Sequence, residues 1–173
     1  DQYHIWLGTS LGKIWFSDDG GETWTEQVDT GANAVNALRF VDENIGYSVG
    51  NVDTVFYTID GGAHWTAGVA TGTGDDLLWV FAFNQYRVIV GTDSSVSSTP
   101  LLMSYDGAQT WEVRTFTGST TETVVDGDFF NDLVGIILTN TAGPVGSVHI
   151  TVNGWRTWEE LVVPTNSGLN AVR

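Results

Sequence analysis

Short runs in which apolar and polar residues alternate recur along the whole chain, and stretches rich in glycine, aspartate and asparagine separate them. The first two runs, at 4–8 and 13–17, are rich in aromatic and β-branched residues and flank a glycine turn. Alternation of this kind predicts half-buried β-strands joined by tight turns. No stretch of useful length carries the 3.6-residue period of a helix. The sequence therefore predicts an all-β fold.

The predicted strands fall into four consecutive groups, which we expect to form a single domain over residues 1–173. A full group has four strands, A to D in chain order, and the first group has only B, C and D. The groups span 4–27, 35–68, 77–114 and 123–161, and a final A-type strand is predicted at 169–173. The A strand of the fourth group, near 123–125, is the weakest in its pattern.

An eight-residue motif recurs once in each group, between strands C and D. Its pattern is Ser/Thr, any residue, Asp/Asn, Gly or Asp, a small residue, any residue, Thr/His and Trp. The copies occupy 17–24, 58–65, 104–111 and 151–158, and their closing tryptophans are 41, 46 and 47 residues apart. A period in this range is the length of a four-stranded propeller blade. We therefore predict a β-propeller of four-stranded antiparallel blades, either a closed four-bladed ring or part of a larger propeller.

The motif has a structural explanation. The Asp accepts hydrogen bonds from backbone amides that follow it in the chain. A glycine adopts a backbone conformation that other residues rarely adopt, and the tryptophan packs between blades. In the fourth copy an Asn replaces Asp and a Trp replaces glycine, which predicts the least regular of the four turns. The residues assigned to this structural role are Ser17, Asp19, Gly21, Thr23, Trp24, Thr58, Asp60, Gly62, Trp65, Ser104, Asp106, Thr110, Trp111, Thr151, Asn153, Thr157 and Trp158.

The motif resembles the Asp-box, or bacterial neuraminidase (BNR) repeat. This repeat occurs in sialidases, xyloglucan-type glycoside hydrolases, sortilin-like receptors, photosystem II stability and assembly factors, and many phage and surface proteins. The resemblance covers nearly the whole chain and implies a propeller, but the box marks the scaffold and not an activity. The stretch at 38–50 is most similar to the photosystem assembly-factor group, which implies the binding of a partner protein through a basic patch.

The ends of the chain pose a question of closure. The first group lacks an A strand, and the run at 169–173 is an A strand without a blade, similar to that at 35–39. Pairing of 169–173 with the strand at 4–8 would close a four-bladed ring and hide both sheet edges. The alternatives are that the chain is a segment of a six- to eight-bladed propeller, or that its tail completes the first blade of another copy.

Composition excludes several classes of partner. Six Lys/Arg residues against twenty-one Asp/Glu give a net charge of −15, which repels nucleic acid and anionic membranes. No apolar run approaches the length of a membrane span. The chain has no cysteine, and a domain of this size folds without disulfides in any redox compartment.

Catalysis has little support in the pattern of residues. Sialidases hold the substrate carboxylate with three arginines, one of them in an Arg-Ile-Pro phrase, and none of the three prolines here follows Arg-Ile. Arg39, Arg87 and Arg114 are scattered along the chain, so we do not expect them to converge. A xyloglucan-type hydrolase needs two carboxylates across one cleft, and with so many acidic residues that alternative stays open.

Long polar loops are predicted on the face opposite the four copies of the eight-residue motif, which we call octets. The B-to-C loops lengthen along the chain, and the D-to-A loops at 69–77 and 115–123 lie at the same end of the blades. Long polar loops on one face of a rigid ring suggest a contact surface. The alternative is that these loops are unconstrained and have varied in length without a function. The candidate binding residues are Asp75, Asp76, Asp93 and Trp155, of which Trp155 is expected to be exposed at its turn. Acids in such loops are more often turn formers.

No metal or cofactor is predicted. A calcium site at Asp29, Asp75 or Asp76 would need regularly spaced oxygen ligands, which no loop has. The three histidines, at positions 4, 64 and 149, have no Cys or His partners at metal-binding spacing.

These observations predict a non-catalytic propeller that serves as an interaction or structural module. Its partners are expected to be proteins or copies of itself, with glycans as a further class of ligand. The lysine-poor, cysteine-free, acidic composition is typical of an extracellular, cell-surface or virion location. The alternatives are a fragment of a glycan-binding or glycoside hydrolase propeller and an assembly factor of the periplasm or thylakoid.

Overall fold

The structure is a computed structural model that describes residues 3–31, 33–96, 100–116, 122–141, 146–161 and 171. This part of the chain contains fifteen β-strands and no helix. The strands are β1 (Ile5–Gly8), β2 (Lys13–Ser17), β3 (Thr25–Asp29), β4 (Val35–Phe40), β5 (Gly46–Gly50), β6 (Val55–Thr58), β7 (Thr66–Ala67), β8 (Leu77–Ala82), β9 (Val88–Thr92), β10 (Leu101–Ser104), β11 (Glu112–Arg114), β12 (Thr123–Phe129), β13 (Gly135–Asn140), β14 (Gly146–Thr151) and β15 (Glu159–Leu161).

The strands form four antiparallel sheets, each a meander in chain order. Sheet 1 holds β1 to β3, sheet 2 β4 to β7, sheet 3 β8 to β11 and sheet 4 β12 to β15. Consecutive sheets contact one another through their first strands, β1 with β4, β4 with β8, and β8 with β12. Sheets stacked side by side through their innermost strands are propeller blades. The predictions of an all-β fold and of four-stranded antiparallel blades are confirmed.

The innermost strands share a local irregularity. The register between the first two strands shifts at Val35/Ala37 in sheet 2, at Leu77/Trp79 in sheet 3 and at Val124/Asp126 in sheet 4. The strand that looked weakest in the sequence, β12, is the longest, with seven residues. The bulge and the two aspartates of β12 interrupt the alternation of apolar and polar residues. A bulge inserts one extra residue, so the residues after it no longer follow the two-residue period.

Close approach of the sheets explains two glycines. A Cβ on Gly8 would lie 2.3 Å from the side chain of Val35, and a Cβ on Gly91 would lie 2.5 Å from that of Val124. Gly8 is the last residue of β1 and Gly91 the last but one of β9, the B strands of sheets 1 and 3, and each glycine faces the first strand of the next blade. Any larger side chain would push the two blades apart.

The core lies mainly between the later sheets. One buried cluster joins sheets 3 and 4 around Ile89, Met103 and Ile137, and a second joins sheets 2 and 3 around Tyr47, Val88 and Leu102. Among the described residues of sheet 1 and its turns, Ile14 is the one fully buried hydrophobic side chain. The aromatic residues of sheet 1 therefore remain partly open to solvent.

The motif tryptophans are less buried than expected. Trp158 is buried, Trp65 and Trp111 are half-buried, and Trp24 is 38% exposed. The expectation of an inter-blade core position is therefore wrong for Trp24, whose indole N–H donates to the carbonyl of Gly21 within its own turn. The predicted A-type strand at 169–173 lies outside the described residues, apart from Ala171.

Candidate functional site

The four octets form the same turn. In the first, Ser17 Oγ donates to Asp19 Oδ1 at 2.7 Å and accepts the Gly21 N–H at 2.8 Å. Asp19 also accepts the backbone N–H of Thr23 at 2.9 Å and its hydroxyl at 2.6 Å. The second and third octets repeat these bonds around Asp60 and Asp106, with the His64 imidazole in place of the threonine hydroxyl in the second.

Each octet also binds the segment that precedes the B strand of its own blade, which is the turn between the first two strands in sheets 2 to 4 and the segment before β1 in sheet 1. The N–H of Gly20 donates to the carbonyl of Tyr3, Gly61 to Asn44, Gly107 to Tyr86 and Gly154 to Leu133, at 2.9 to 3.1 Å. These four bonds put both kinds of turn at one end of the blades, which we call the Asp-box face. The opposite end, with the B-to-C and D-to-A loops, we call the loop face.

The turns hold their aspartates in the ionised form. The Thr23 hydroxyl and backbone N–H, with the Ser17 hydroxyl, lower the pKa of Asp19 to about 2. The backbone N–H and the imidazole of His64 lower the pKa of Asp60 to about 2. The Thr110 hydroxyl and backbone N–H lower the pKa of Asp106 to about 2. Hydrogen bonds to the charged form are the cause in each turn.

The fourth octet keeps the geometry with different side chains. Asn153 Oδ1 accepts the Thr157 N–H at 3.1 Å, and Asn153 Nδ2 donates to the Thr157 hydroxyl at 2.7 Å. The bond from Thr151 to Asn153 is the longest of its kind, at 3.2 Å. The turn retains these side-chain bonds, but the Asn153 N–H does not donate to the Thr151 hydroxyl as the aspartate N–H donates in the other three turns. An amide suffices because the turn needs one oxygen acceptor and one further hydrogen-bonding atom.

Trp155 is a correction to the sequence analysis. It stands at the position of Gly21 with a φ of 77°, in the left-handed region that bulky residues rarely adopt. It lies on the Asp-box face and is 1% exposed, so the predicted exposure on the loop face is wrong. Its ring stacks on Phe129 at 4.9 Å, and its indole N–H donates to the Asp132 carbonyl at 2.8 Å. The left-handed backbone turns the side chain inward to the core between sheets 3 and 4.

A pocket of about 680 Å³ opens over this tryptophan, and we call it the arginine pocket. Three of the five arginines of the chain line it, although they are far apart in sequence. The lining residues are Arg87, Tyr105, Arg114, Asp132, Leu133, Asn153, Gly154, Trp155 and Arg156. The expectation that Arg87 and Arg114 would not converge is therefore wrong, whereas Arg39 lies elsewhere.

The three guanidinium groups differ in their partners. Arg87 pairs with Asp132 at 2.7 Å and lies 5.3 Å from the ring centroids of both Phe83 and Trp155. Arg114 pairs with Glu112 at 2.6 Å, and hydrogen bonds to Tyr105 and Glu112 outweigh the lowering effect of burial, so its pKa is raised. Arg156 is exposed and makes no hydrogen bond or ion pair to any described residue. Its charge is available to a ligand.

A second concave site lies between sheets 1 and 2, also on the Asp-box face, and we call it the aromatic cleft. It comprises two adjoining hollows of about 600 and 360 Å³. Trp6 and Phe40 stack in it at 3.7 Å between ring centroids, and Phe16 lies 5.0 Å from Trp6. The remaining side chains that line it include His4, Gln27, Asp42, Glu43, Asn44 and Asp60.

The acids predicted as binding residues on the loop face cap backbone amides. Asp75 is 0% exposed, and its Oδ1 accepts the Val96 N–H at 2.6 Å. Asp76 accepts the N–H of Val52, and Asp93 accepts those of Asp76 and Ser95. A buried, bonded carboxylate is not open to a surface ligand, so Asp75 is corrected to a structural role. Asp76 and Asp93 stay predictions as contact residues.

A smaller cavity of about 390 Å³ lies where the first strands of sheets 2, 3 and 4 meet. Arg39, Asp126 and Asp128 line it, and the Arg39 guanidinium lies 4.8 Å from the centroid of Phe81. Within the described ranges, no group of three or more His, Asp or Glu residues is placed to hold a metal ion. No helix in the described part of the chain is long and apolar enough to span a membrane.

The arginine pocket was not predicted from the sequence, although the octet phase shows which blade holds each arginine. Arg156 lies inside the fourth octet, Arg114 follows the third, and Arg87 follows the turn to which the third octet binds. The phase thus assigns Arg87 and Arg114 to the third blade and Arg156 to the fourth. Their convergence depends on which residues face the boundary between these two blades, and the chain has to be folded to show it.

Neither a protein-family model nor a curated protein matches the sequence. Solved structures do match the fold. YCF48 bound to a D1 peptide is similar with a TM-score of 0.70 and 18% identity, over 92% of this chain and 52% of that one. YCF48 from Cyanidioschyzon merolae is similar with a TM-score of 0.68 and 18% identity, over 97% of this chain and 55% of that one.

A GH74 enzyme from Niastella koreensis is also similar, with a TM-score of 0.67 and 20% identity, over 95% of this chain and 28% of that one. The chain thus spans about half the length of the YCF48 structures and just over a quarter of the GH74 enzyme. The TM-scores establish the propeller fold. At identities this low, function has to be argued from the site.

Proposed function

We propose that the chain is a non-catalytic propeller module that binds a partner protein at the arginine pocket. The partner presents carboxylates, either acidic side chains or a chain terminus, on an extended segment. One observation carries this proposal, namely that three of the five arginines surround one pocket in a chain of net charge −15. The rest of the described surface is predominantly acidic, so this pocket is where such a segment would find the most favourable contacts.

Two of the arginines suit direct contact. Arg156 is exposed and unpaired among the described residues, and Arg114 keeps part of its guanidinium at the surface beside Tyr105. A guanidinium binds a carboxylate through two parallel N–H donors, which gives strength and orientation. Tyr105 adds a half-exposed ring, whose hydroxyl donates to Met103 Sδ at 3.8 Å.

The third arginine prepares the floor of the pocket. Arg87 is held by Asp132 and by the rings of Phe83 and Trp155, and its side chain is mostly buried. A preformed floor lowers the entropic cost of binding, because few side chains have to be ordered when the ligand arrives. We assign Arg87 to shaping the site and Arg114 and Arg156 to holding the ligand.

The likeness to YCF48 bound to a D1 peptide supports a protein partner as the class of ligand. Self-association is a second form of the same proposal, since this acidic chain itself offers many carboxylates. We propose an extracellular, cell-surface or virion setting on composition alone. The alternative of an assembly-factor-like role shares the same site and the same test.

A glycan-acting role is the other candidate, supported by the likeness to GH74 enzymes. General acid–base catalysis needs two carboxylates that are free to exchange protons across a cleft. The loop-face acids cap backbone amides, and three of the Asp-box acids are held ionised, which favours the non-catalytic proposal.

Fluorescence anisotropy with a labelled peptide of alternating Ser and Asp residues tests the proposal. Arg156→Gln should weaken binding by about tenfold, because a charge-assisted hydrogen bond is lost. Arg39→Gln is the matched control, since it removes the same charge from the cavity at the first strands. Equal effects of the two variants, or equal binding of a Ser-Asn peptide, would refute the proposal.

A further inference from the structure

The aromatic cleft and the arginine pocket occupy the same place on two different blade boundaries. The hydrogen bonds Gly20 N–H to Tyr3 and Gly107 N–H to Tyr86 make His4 and Arg87, the next residues, equivalent. The bonds Gly61 N–H to Asn44 and Gly154 N–H to Leu133 make Glu43 and Asp132, the preceding residues, equivalent in the same way. One boundary can therefore be compared with the other, position by position.

In the arginine pocket the chain supplies its own cation. Arg87 lies against two aromatic rings and forms an ion pair with the carboxylate of Asp132 on the next blade. A guanidinium held between ring faces and a carboxylate gains from cation–π attraction and from a charge-assisted hydrogen bond. A cation that can stack on aromatic rings, such as a guanidinium, therefore fits a blade boundary of this kind.

The aromatic cleft has the receiving groups without the cation. Trp6 and Phe40 provide stacked, half-buried rings, although not at the positions of Phe83 and Trp155, and Glu43 provides the carboxylate at the position of Asp132. The Glu43 side chain is exposed and has no hydrogen bond or ion pair to any described residue. His4 stands where Arg87 stands in the other pocket, and no lysine or arginine among the described residues lines either hollow of the cleft.

Space for a ligand arises from a second difference. At the position of Trp155, which fills the floor of the arginine pocket, the second octet has Gly62. The side chain of Gln27 packs over this glycine and is held by bonds to the Gly61 carbonyl and the Trp65 indole, at 3.1 and 3.2 Å. An amide therefore takes the place of a large ring, and the cleft stays open beside it.

We propose that the aromatic cleft binds an arginine side chain of a partner protein, with an outer face of the stacked Trp6–Phe40 pair against the guanidinium plane and Glu43 as its counter-ion. This site is separate from the arginine pocket and does not depend on the function proposed for it. The occupant is argued from charge complementarity, because rings flanked by Asp42, Glu43 and Asp60 favour a cation that can stack.

The test uses the whole chain and a labelled Gly-Arg-Gly-Arg-Gly amide peptide in a fluorescence anisotropy titration. Glu43→Gln should weaken binding by about fivefold, and a peptide with citrulline in place of arginine should lose most of its binding. The indole N–H resonance of Trp6 should shift during the titration. Glu159→Gln is the control, because Glu159 is an exposed acid on β15 and its replacement makes the same change in net charge.

Three outcomes would overturn the proposal. Equal losses in Glu43→Gln and Glu159→Gln would mean that the acidic surface attracts arginine without a site. An unshifted Trp6 indole would place the peptide elsewhere. Binding of neutral cellotetraose in competition with the arginine peptide would make the cleft a glycan site instead. None of these results bears on the arginine pocket, which the acidic peptide tests separately.

Discussion

Arg87 Nη1 lies 2.7 Å from Asp132 Oδ2, and this ion pair joins the third sheet to the turn of the fourth. Asp132 is largely exposed, so the pair adds little to stability, but its carboxylate stands inside the arginine pocket and repels an acidic ligand. Asp132→Asn should therefore change the melting temperature little and tighten binding of the Ser-Asp peptide by about threefold. Anisotropy titration measures the change, and weaker binding would contradict it.

Acid should weaken the fold through the Asp-box turns. Asp19, Asp60 and Asp106 have pKa values of about 2 in the folded chain against a usual 3.8, so the fold favours their ionised form. The stabilisation is complete above the unfolded value and is lost as the pH falls through about 2. The melting temperature should therefore fall steeply between about pH 4 and about pH 2.

Asn153 suggests the matched variant. Because an asparagine holds the fourth turn without a titrating group, the triple variant Asp19→Asn, Asp60→Asn, Asp106→Asn should keep its fold and lose much of this acid dependence. Asp18→Asn is the control, since no described hydrogen bond of the turn uses that side chain. The same steep decline in the triple variant as in the parent chain would contradict the assignment.

Single turns should matter modestly at neutral pH. Asp106→Ala removes the acceptor for the hydroxyl of Ser104 and for the backbone N–H and hydroxyl of Thr110, so those donors turn to water. We expect a fall in melting temperature of about 2–4 °C with no change in peptide binding, measured by calorimetry and anisotropy. Loss of binding at an unchanged melting temperature would count against a purely structural octet.

Trp155 should show opposing effects of packing and backbone strain. Trp155→Ala empties a buried ring position and should cost about 3–5 kcal/mol in urea denaturation. Trp155→Gly makes the same cavity but relieves the positive φ, so it should be at least as stable as the alanine variant. A glycine variant that is clearly less stable than the alanine variant would mean that the backbone there is unstrained.

Glu122 and His149 form a buried pair in sheet 4, with 2.7 Å between Oε2 and Nε2, and Thr139 donates to the same carboxylate. Phe116 stacks on the imidazole at 3.9 Å. Glu122→Leu or His149→Leu alone should cost about 3 kcal/mol, because each removes the ion-pair partner of a buried ionisable group. The double variant should cost no more than either single one in urea denaturation. Additive losses would contradict this coupling.

The sequence was most informative where structure is local. The octet network could be predicted because Asp19 bonds groups that lie within four residues of it, and the period of its copies assigned the blades. Trp155 could not be placed in this way. The direction of its side chain depends on a left-handed backbone conformation that the motif normally reserves for glycine. The sequence therefore predicts an exposed residue, whereas Trp155 is buried in the fold.

The binding surface was harder to predict for a related reason. The long loops predicted binding at the loop face, but the Asp75 carboxylate accepts a backbone hydrogen bond that holds those loops together. The arginine pocket and the aromatic cleft each combine side chains from two blades, such as Arg87 with Arg156 and Trp6 with Phe40. Residues brought together across a blade boundary carry no common spacing, so no motif marks them.

The central claim is that an acidic partner segment binds the Asp-box face between sheets 3 and 4. Chemical-shift mapping of the isotope-labelled chain with the Ser-Asp peptide tests it most directly. We expect shifts confined to the Trp155 indole, the Gly154 amide and the side chains of Arg114 and Arg156. Shifts that spare these groups and appear instead around Asp76 and Asp93 would contradict it and restore the loop face as the binding surface.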